Sequence, residues 1–102
     1  MSLLSREKKS LRQIAHHLDS VVLVGDQGVT EGVALETQRA LKDHELIKVK
    51  LSISDREARD TAAKTLAESC EAEIVQRIGR VFVLYRANPK ANPKLSNIKR
   101  YA

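Results

Sequence analysis

Two glycines three residues apart, in Gly25-Asp26-Gln27-Gly28, are the residues of this chain with the most chemical promise. They follow the apolar run Val21-Val22-Leu23-Val24 and precede Val29-Thr30-Glu31-Gly32-Val33, which opens a helix. Glycines let a backbone pass close to another molecule and adopt φ > 0 where the chain turns. A helix starting just beyond the loop turns unpaired N–H groups towards it, and such groups attract phosphate. In a chain with a pI near 9.6, the partner this suggests is a nucleic-acid backbone. Short glycine motifs recur by chance, so the loop taken alone favours a tight turn with no ligand.

Other chemistries find less support. His16, His17, His44 and Cys70 show neither Cys-x-x-Cys nor His-x-x-x-His spacing, so no metal is expected. The stretch Gly25 to Gly32 is not G-x-x-x-x-G-K-[ST] and lacks the lysine that reaches nucleotide phosphates. No G-x-S-x-G and no credible Cys/His pairing is present. The chain therefore reads as a non-enzyme without cofactors, with a mononucleotide-binding domain as an alternative.

At 102 residues there is room for one domain. The chain has no Trp and one Phe, Phe82, so its core must be aliphatic. No apolar run approaches the roughly 20 residues of a membrane helix. Met1 to Ser10 has charges but no apolar stretch of a secretory leader. The lone Cys70 suits a reducing compartment, and the expected location is cytoplasmic. The net charge of +5 is unevenly spread: residues 79–102 hold six basic and no acidic side chains. A basic end on a near-neutral globule suits a polyanion, or an acidic protein if the chain is an interaction adaptor using its tail.

The elements that must position these residues follow from periodicity. Ser5 is a plausible cap for a first helix, in which Leu11, Ile14, Ala15 and Leu18 share a buried face. Lys8, Lys9 and Arg12 fall largely off that face, and Asp19-Ser20 ends the helix. Val21 to Val24 suits a strand covered on both sides. Thr30 or a neighbour caps a second helix, with Val33, Ala34, Thr37, Ala40 and Leu41 inside. His44 to Ile53 reads as the clearest strand: Ile47, Val49, Leu51 and Ile53 alternate with Lys48, Lys50 and Ser52, which puts two lysines on one face. Ser54 and Glu57 form a capping box for a third helix with Ala58, Ala62, Leu66 and Ala67 inside and Arg56, Arg59 and Lys64 outside. Ile74 to Ile78, Gly79-Arg80 and Val81 to Tyr85 predict a hairpin with a type II′ turn. Residues 87–102, with Asn-Pro-Lys at 88–90 and 92–94, read as a basic, extended or mobile tail.

The resulting order, α-β-α-β-α-β-β, is more specific together than in any part. It resembles the YhbY-like family, also called the CRM domain (chloroplast splicing and ribosome maturation), in its bacterial stand-alone form. The resemblance covers residues 3–86. It is carried by Leu11 to His16, Val21 to Gly25, Gly28 to Val33, His44 to Lys50, Asp55-Arg56-Glu57, Ile78-Gly79 and Val83 to Arg86. It implies one compact α/β domain over residues 1–86, with a four-stranded mixed sheet packed with helices, similar to the C-terminal domain of bacterial translation initiation factor three. It also implies RNA as partner, chiefly ribosomal RNA of large-subunit precursors, and a role in ribosome assembly. Carried over by position, the RNA-binding residues are Gly25, Asp26, Gln27 and Gly28, with Lys48, Lys50, Arg56 and Arg86 as basic candidates. Lys8, Lys9 and Arg12 would add grip, as would the tail residues Lys90, Lys94, Lys99 and Arg100. Asp26 departs from the pattern, because an acid between the glycines repels phosphate. A monomer is expected. With few aromatic residues for base stacking, structured RNA is favoured over a short single-stranded motif.

Overall fold

A computed structural model describes residues 5–101. The elements are α1 (Ser5–Ala15), β1 (Ser20–Val24), α2 (Glu31–His44), β2 (Leu46–Leu51), α3 (Arg56–Ser69), β3 (Glu73–Ile78), β4 (Val81–Tyr85) and α4 (Asn97–Arg100). The strands form one mixed sheet in the order β1-β2-β4-β3. β1 runs parallel to β2, while β4 is antiparallel to both β2 and β3. The parallel pair is joined through α2, as a crossover connection requires.

Strand alternation sends side chains to two faces. One face carries Val22, Val24, Ile47, Val49, Leu51, Phe82 and Leu84, which pack with Leu41 of α2 and with Ala63, Leu66, Ala67 and Cys70 at α3. The opposite face carries Leu46 and Val83, joined by Val75 and covered by Leu11 and Ala15 of α1. The core is thus aliphatic apart from Phe82. Its two layers of helix are unequal: α2 and α3 on one side, α1 and the short α4 on the other.

Several local readings hold. The side chain of Thr30 caps α2, accepting from Val33 N–H at 3.2 Å. Gly79 has φ +59° and Arg80 has no positive φ, as a type II′ turn demands. Others are corrected. α1 ends at Ala15, three residues before Leu18, and its last carbonyls are taken up in a tightened turn through His17 and Leu18. Ser5 is already helical; residues 1–4, where the leader reading partly falls, and residue 102 lie outside the described part. The cap of α3 is Asp55, whose carboxylate accepts from Ala58 N–H at 2.8 Å, so the helix starts one residue later than the Ser54 box implies. Its buried side is Arg59, Ala63, Leu66 and Ala67, while Ala58 is exposed. Arg59 lies inward because its stem covers the core while its guanidinium donates to Ile53 O at 3.1 Å.

The largest correction concerns residues 87–101, which fold back onto the globule. Each Asn-Pro-Lys closes a turn on itself: Asn88 Oδ1 accepts from Lys90 N–H, and Asn92 Oδ1 from Lys94 N–H. Asn88 Nδ2 donates to Lys42 O at 2.7 Å, and buried Asn97 Nδ2 donates to Leu46 O at 2.7 Å. His44 Nδ1 lies 2.8 Å from Leu95 O. Ser96 caps α4, and Ile98 joins the cluster of Leu11, Leu46 and Val83. Asx-turn chemistry supplies order that apolar periodicity does not reveal.

Candidate nucleic-acid interface

The glycine loop is a tight turn: Gly28 N–H donates to Gly25 O at 2.9 Å, and Thr30 N–H to Gly28 O at 3.1 Å. Gly28 has φ +76°, a conformation that disfavours a side chain. Gly25 differs. Its φ lies outside the left-handed range, and a Cβ placed on it would meet nothing within 4 Å. The fold therefore has no need of glycine at position 25. Past the loop, Val33 N–H is capped by Thr30, while the amides of Glu31 and Gly32 in the first turn have no intrahelical acceptor. Asp26 in the loop and Glu31 in the first turn are exposed carboxylates, so the loop offers close approach rather than positive charge.

Positive charge comes from the neighbouring elements. β1 and β2 are parallel, so both finish at the end of the sheet where the loop lies, with Ser52 N–H bonded to Val24 O. The β3–β4 turn reaches the same end, with Leu51 N–H bonded to Arg80 O at 2.8 Å. Lys50, Arg56 and Arg80 thus converge there. All three are exposed, and none forms a salt bridge among the described residues. Arg56 opens α3, where the helix dipole disfavours a cation, so helix stability does not account for it. Arg80 is the residue that sequence reasoning missed. It reads there as half of a turn, and only the strand register reveals its neighbours.

Lys48 is a different case. It is half-buried, and its Nζ donates to Leu18 O at 2.9 Å, tethering the α1–β1 connection to the sheet. Lys8, Lys9 and Arg12 lie on α1, with Lys8 half-buried and the others exposed.

Arg86 is not part of this group. It follows β4 at the opposite end of the sheet, and its guanidinium donates to Cys70 O at 2.9 Å and Gln38 O at 3.3 Å. These bonds tie the α3 C-terminus to α2. The tail cation Lys99 is also at that end: its Nζ donates to Ala91 O at 2.9 Å and lies 4.0 Å from Glu45 Oε1. Nearby Tyr85 has its phenol pKa raised above the ordinary 10.0, first by burial and then by the charges of Glu45 and Glu7.

A groove of about 470 Å³ separates the loop from α3, running from Val29 past Thr61 and Thr65. Asp55 and Glu57 on its rim make it the wrong sign for phosphate. Among the described residues no group of three or more His, Cys, Asp or Glu side chains could hold a metal ion. No helix among them is long and apolar enough to cross a membrane.

One mixed four-stranded sheet with helices on both faces, and a glycine turn with unpaired cations at one end, defines a small α/β domain. The chain belongs to the CRS1/YhbY (CRM) domain family, whose model matches residues 3–86. It is 42% identical over 94 residues to an RNA-binding protein of Haemophilus influenzae, covering 92% of this chain and 95% of that one. It is 46% identical over 102 residues to a Pseudomonas aeruginosa protein named "Probable RNA-binding protein", covering 100% of this chain and 98% of that one. The solution structure of a Staphylococcus aureus protein superposes with a TM-score of 0.78 at 31% identity, covering 89% of this chain and 95% of that one.

Proposed function

We propose that this protein binds RNA, without catalysing a reaction, through the Gly25–Gly28 loop and the adjoining cations Lys50, Arg56 and Arg80. The RNA is ribosomal RNA of the large-subunit precursor, and the protein assists assembly of that subunit in the cytoplasm. Family membership and the relatives' names support RNA as the partner; the bacterial stand-alone form that the chain resembles supports the precursor. The observation that carries the site is Gly25: it is a glycine without a local structural reason, next to three cations without internal partners. A backbone left bare in that setting suits the close approach of a phosphate chain, with Lys and Arg displacing its counterions.

Two measurements test this. Gly25→Ala should leave thermal stability unchanged or raise it by up to about 1 kcal/mol, because the backbone can adopt the same conformation with less unfolded-state entropy. RNA affinity should fall. Gly28→Ala, forced into φ +76°, should instead lose about 1 kcal/mol of stability. Unchanged RNA binding by folded Gly25→Ala refutes the loop's role. In cell extracts fractionated on sucrose gradients, the protein should migrate with large-subunit or precursor particles and leave them at high salt. Migration only at the top of a low-salt, Mg²⁺-containing gradient refutes the ribosomal assignment.

A further inference from the structure

The sheet face under α1 is only partly covered. Strand register aligns Leu23 with Lys50, Lys50 with Val81, and Val81 with Ile78, one residue from each strand. This row crosses the whole sheet, about 14 Å at the usual strand spacing. It is the last row shared by all four strands before the glycine loop and the Gly79-Arg80 turn. Leu23 is 63% exposed and Ile78 53%. A folded chain gains nothing by leaving two large aliphatic side chains in water on one face.

The surroundings identify the occupant by charge. Lys50 stands within the row, and Arg80 adjoins its Ile78–Val81 end. The α1 flank formed by Ser10, Gln13, Ile14 and His17 lines a pocket with Tyr101, so it faces the C-terminal segment. That segment is anchored at the Leu46 end of β2 through Asn97. By helical spacing, Lys8 and Arg12 occupy the opposite flank, towards the open row. An aliphatic strip rimmed by Lys8, Arg12, Lys50 and Arg80 disfavours a basic protein and suits a polyanion that also offers apolar surface. Base-paired RNA does so: its wide, shallow minor groove presents riboses between two phosphate backbones.

We propose that the row Leu23–Lys50–Val81–Ile78 packs against the minor-groove side of a base-paired RNA segment, the flanking cations holding its phosphates. This rests on the RNA-binding reading above and extends it from the loop to the sheet and from RNA in general to A-form duplex. Aromatic stacking is not used. The aliphatic side chains exclude water from the sugar edges, and Lys50 donates into the groove between them.

The test uses the full chain and three probes: an RNA hairpin with a stem of about 16 base pairs, the same stem in DNA, and unstructured single-stranded RNA. The wild type should bind the RNA stem more tightly than either other probe. Leu23→Asn and Ile78→Asn change exposed positions without changing charge. Together they should weaken binding to the RNA stem by about tenfold while the salt dependence stays the same. Lys50→Gln should lower the slope of log affinity against log salt by about one. If the wild type binds the RNA stem and the double Asn variant binds it equally well, the sheet proposal falls and the RNA reading stands. If the wild type binds no RNA at all, the underlying reading falls. A wild-type dimer in sedimentation equilibrium that the Asn variants abolish would assign the row to a second copy of the chain and overturn the proposal.

Discussion

At the end of the sheet where β1 and β2 finish, Lys50, Arg56 and Arg80 extend into solvent with no internal partner. At the opposite end, Arg86, Asn88 and Asn97 donate to main-chain carbonyls of other segments, those of Cys70 and Gln38, Lys42, and Leu46, while Lys99 donates to Ala91 within the C-terminal segment itself. The residue types overlap, but their work differs. A cation that satisfies the carbonyl of a helix C-cap, as Arg86 does at Cys70, is fixed by the fold, since removing it leaves that acceptor bare. A cation with no such bond is free to meet a polyanion. Net charge alone misleads here, because the chain's strongest concentration of positive charge, residues 79–102, lies largely at the end that is busy holding itself together.

The sharpest way to break this contrast is Arg86→Ala. It removes two charge-assisted hydrogen bonds and should lower unfolding stability by about 3 kcal/mol, read by urea denaturation. The RNA affinity of the folded fraction should stay within twofold. A stable variant with weakened RNA binding would reverse the assignment of Arg86. Next in size is the pair Lys48→Gln and Lys50→Gln, two residues apart on one strand face. The first loses the bond to Leu18 O and should cost about 1 kcal/mol of stability. The second should leave the melting temperature unchanged and weaken RNA binding. Equal stability losses would mean that the lysines do the same work.

The smallest effect is alkaline. The fold holds the Tyr85 phenol above its ordinary 10.0, so it favours the neutral form. The stability gained is complete below pH 10.0 and is lost as pH rises through the higher folded value. Tyr85→Phe should therefore flatten the decline in stability above that pH, measured by urea titrations from neutral to strongly alkaline conditions. RNA binding near neutrality should be unaffected.

Much of the fold was legible because apolar periodicity records which side of an element meets the core. The alternation in β2, the Thr30 cap and the Gly79 turn could be read from a few adjacent residues, since each is decided by local geometry. The α3 face escapes the pattern because Arg59 counts as polar there but buries its stem. The C-terminal segment was missed for a related reason: Asn and Ser side chains order it through hydrogen bonds, and these leave no apolar period.

Local propensity and motifs kept in order along the chain suffice for the first three helices and four strands, the aliphatic core, the glycine loop and the family, but not for α4. Tertiary structure alone decided which cations are available. Arg80 joins Lys50 only through the pairing of β2 with β4, and Arg86 is withdrawn only because β4 ends beside the α3 C-terminus. The exposed row of Leu23 and Ile78 has the same origin. Leu23 sits in an apolar run that suggests burial, yet a run cannot say how far one helix extends across the face of a sheet. That extent depends on the length of α1 and the angle at which it lies, and packing sets both.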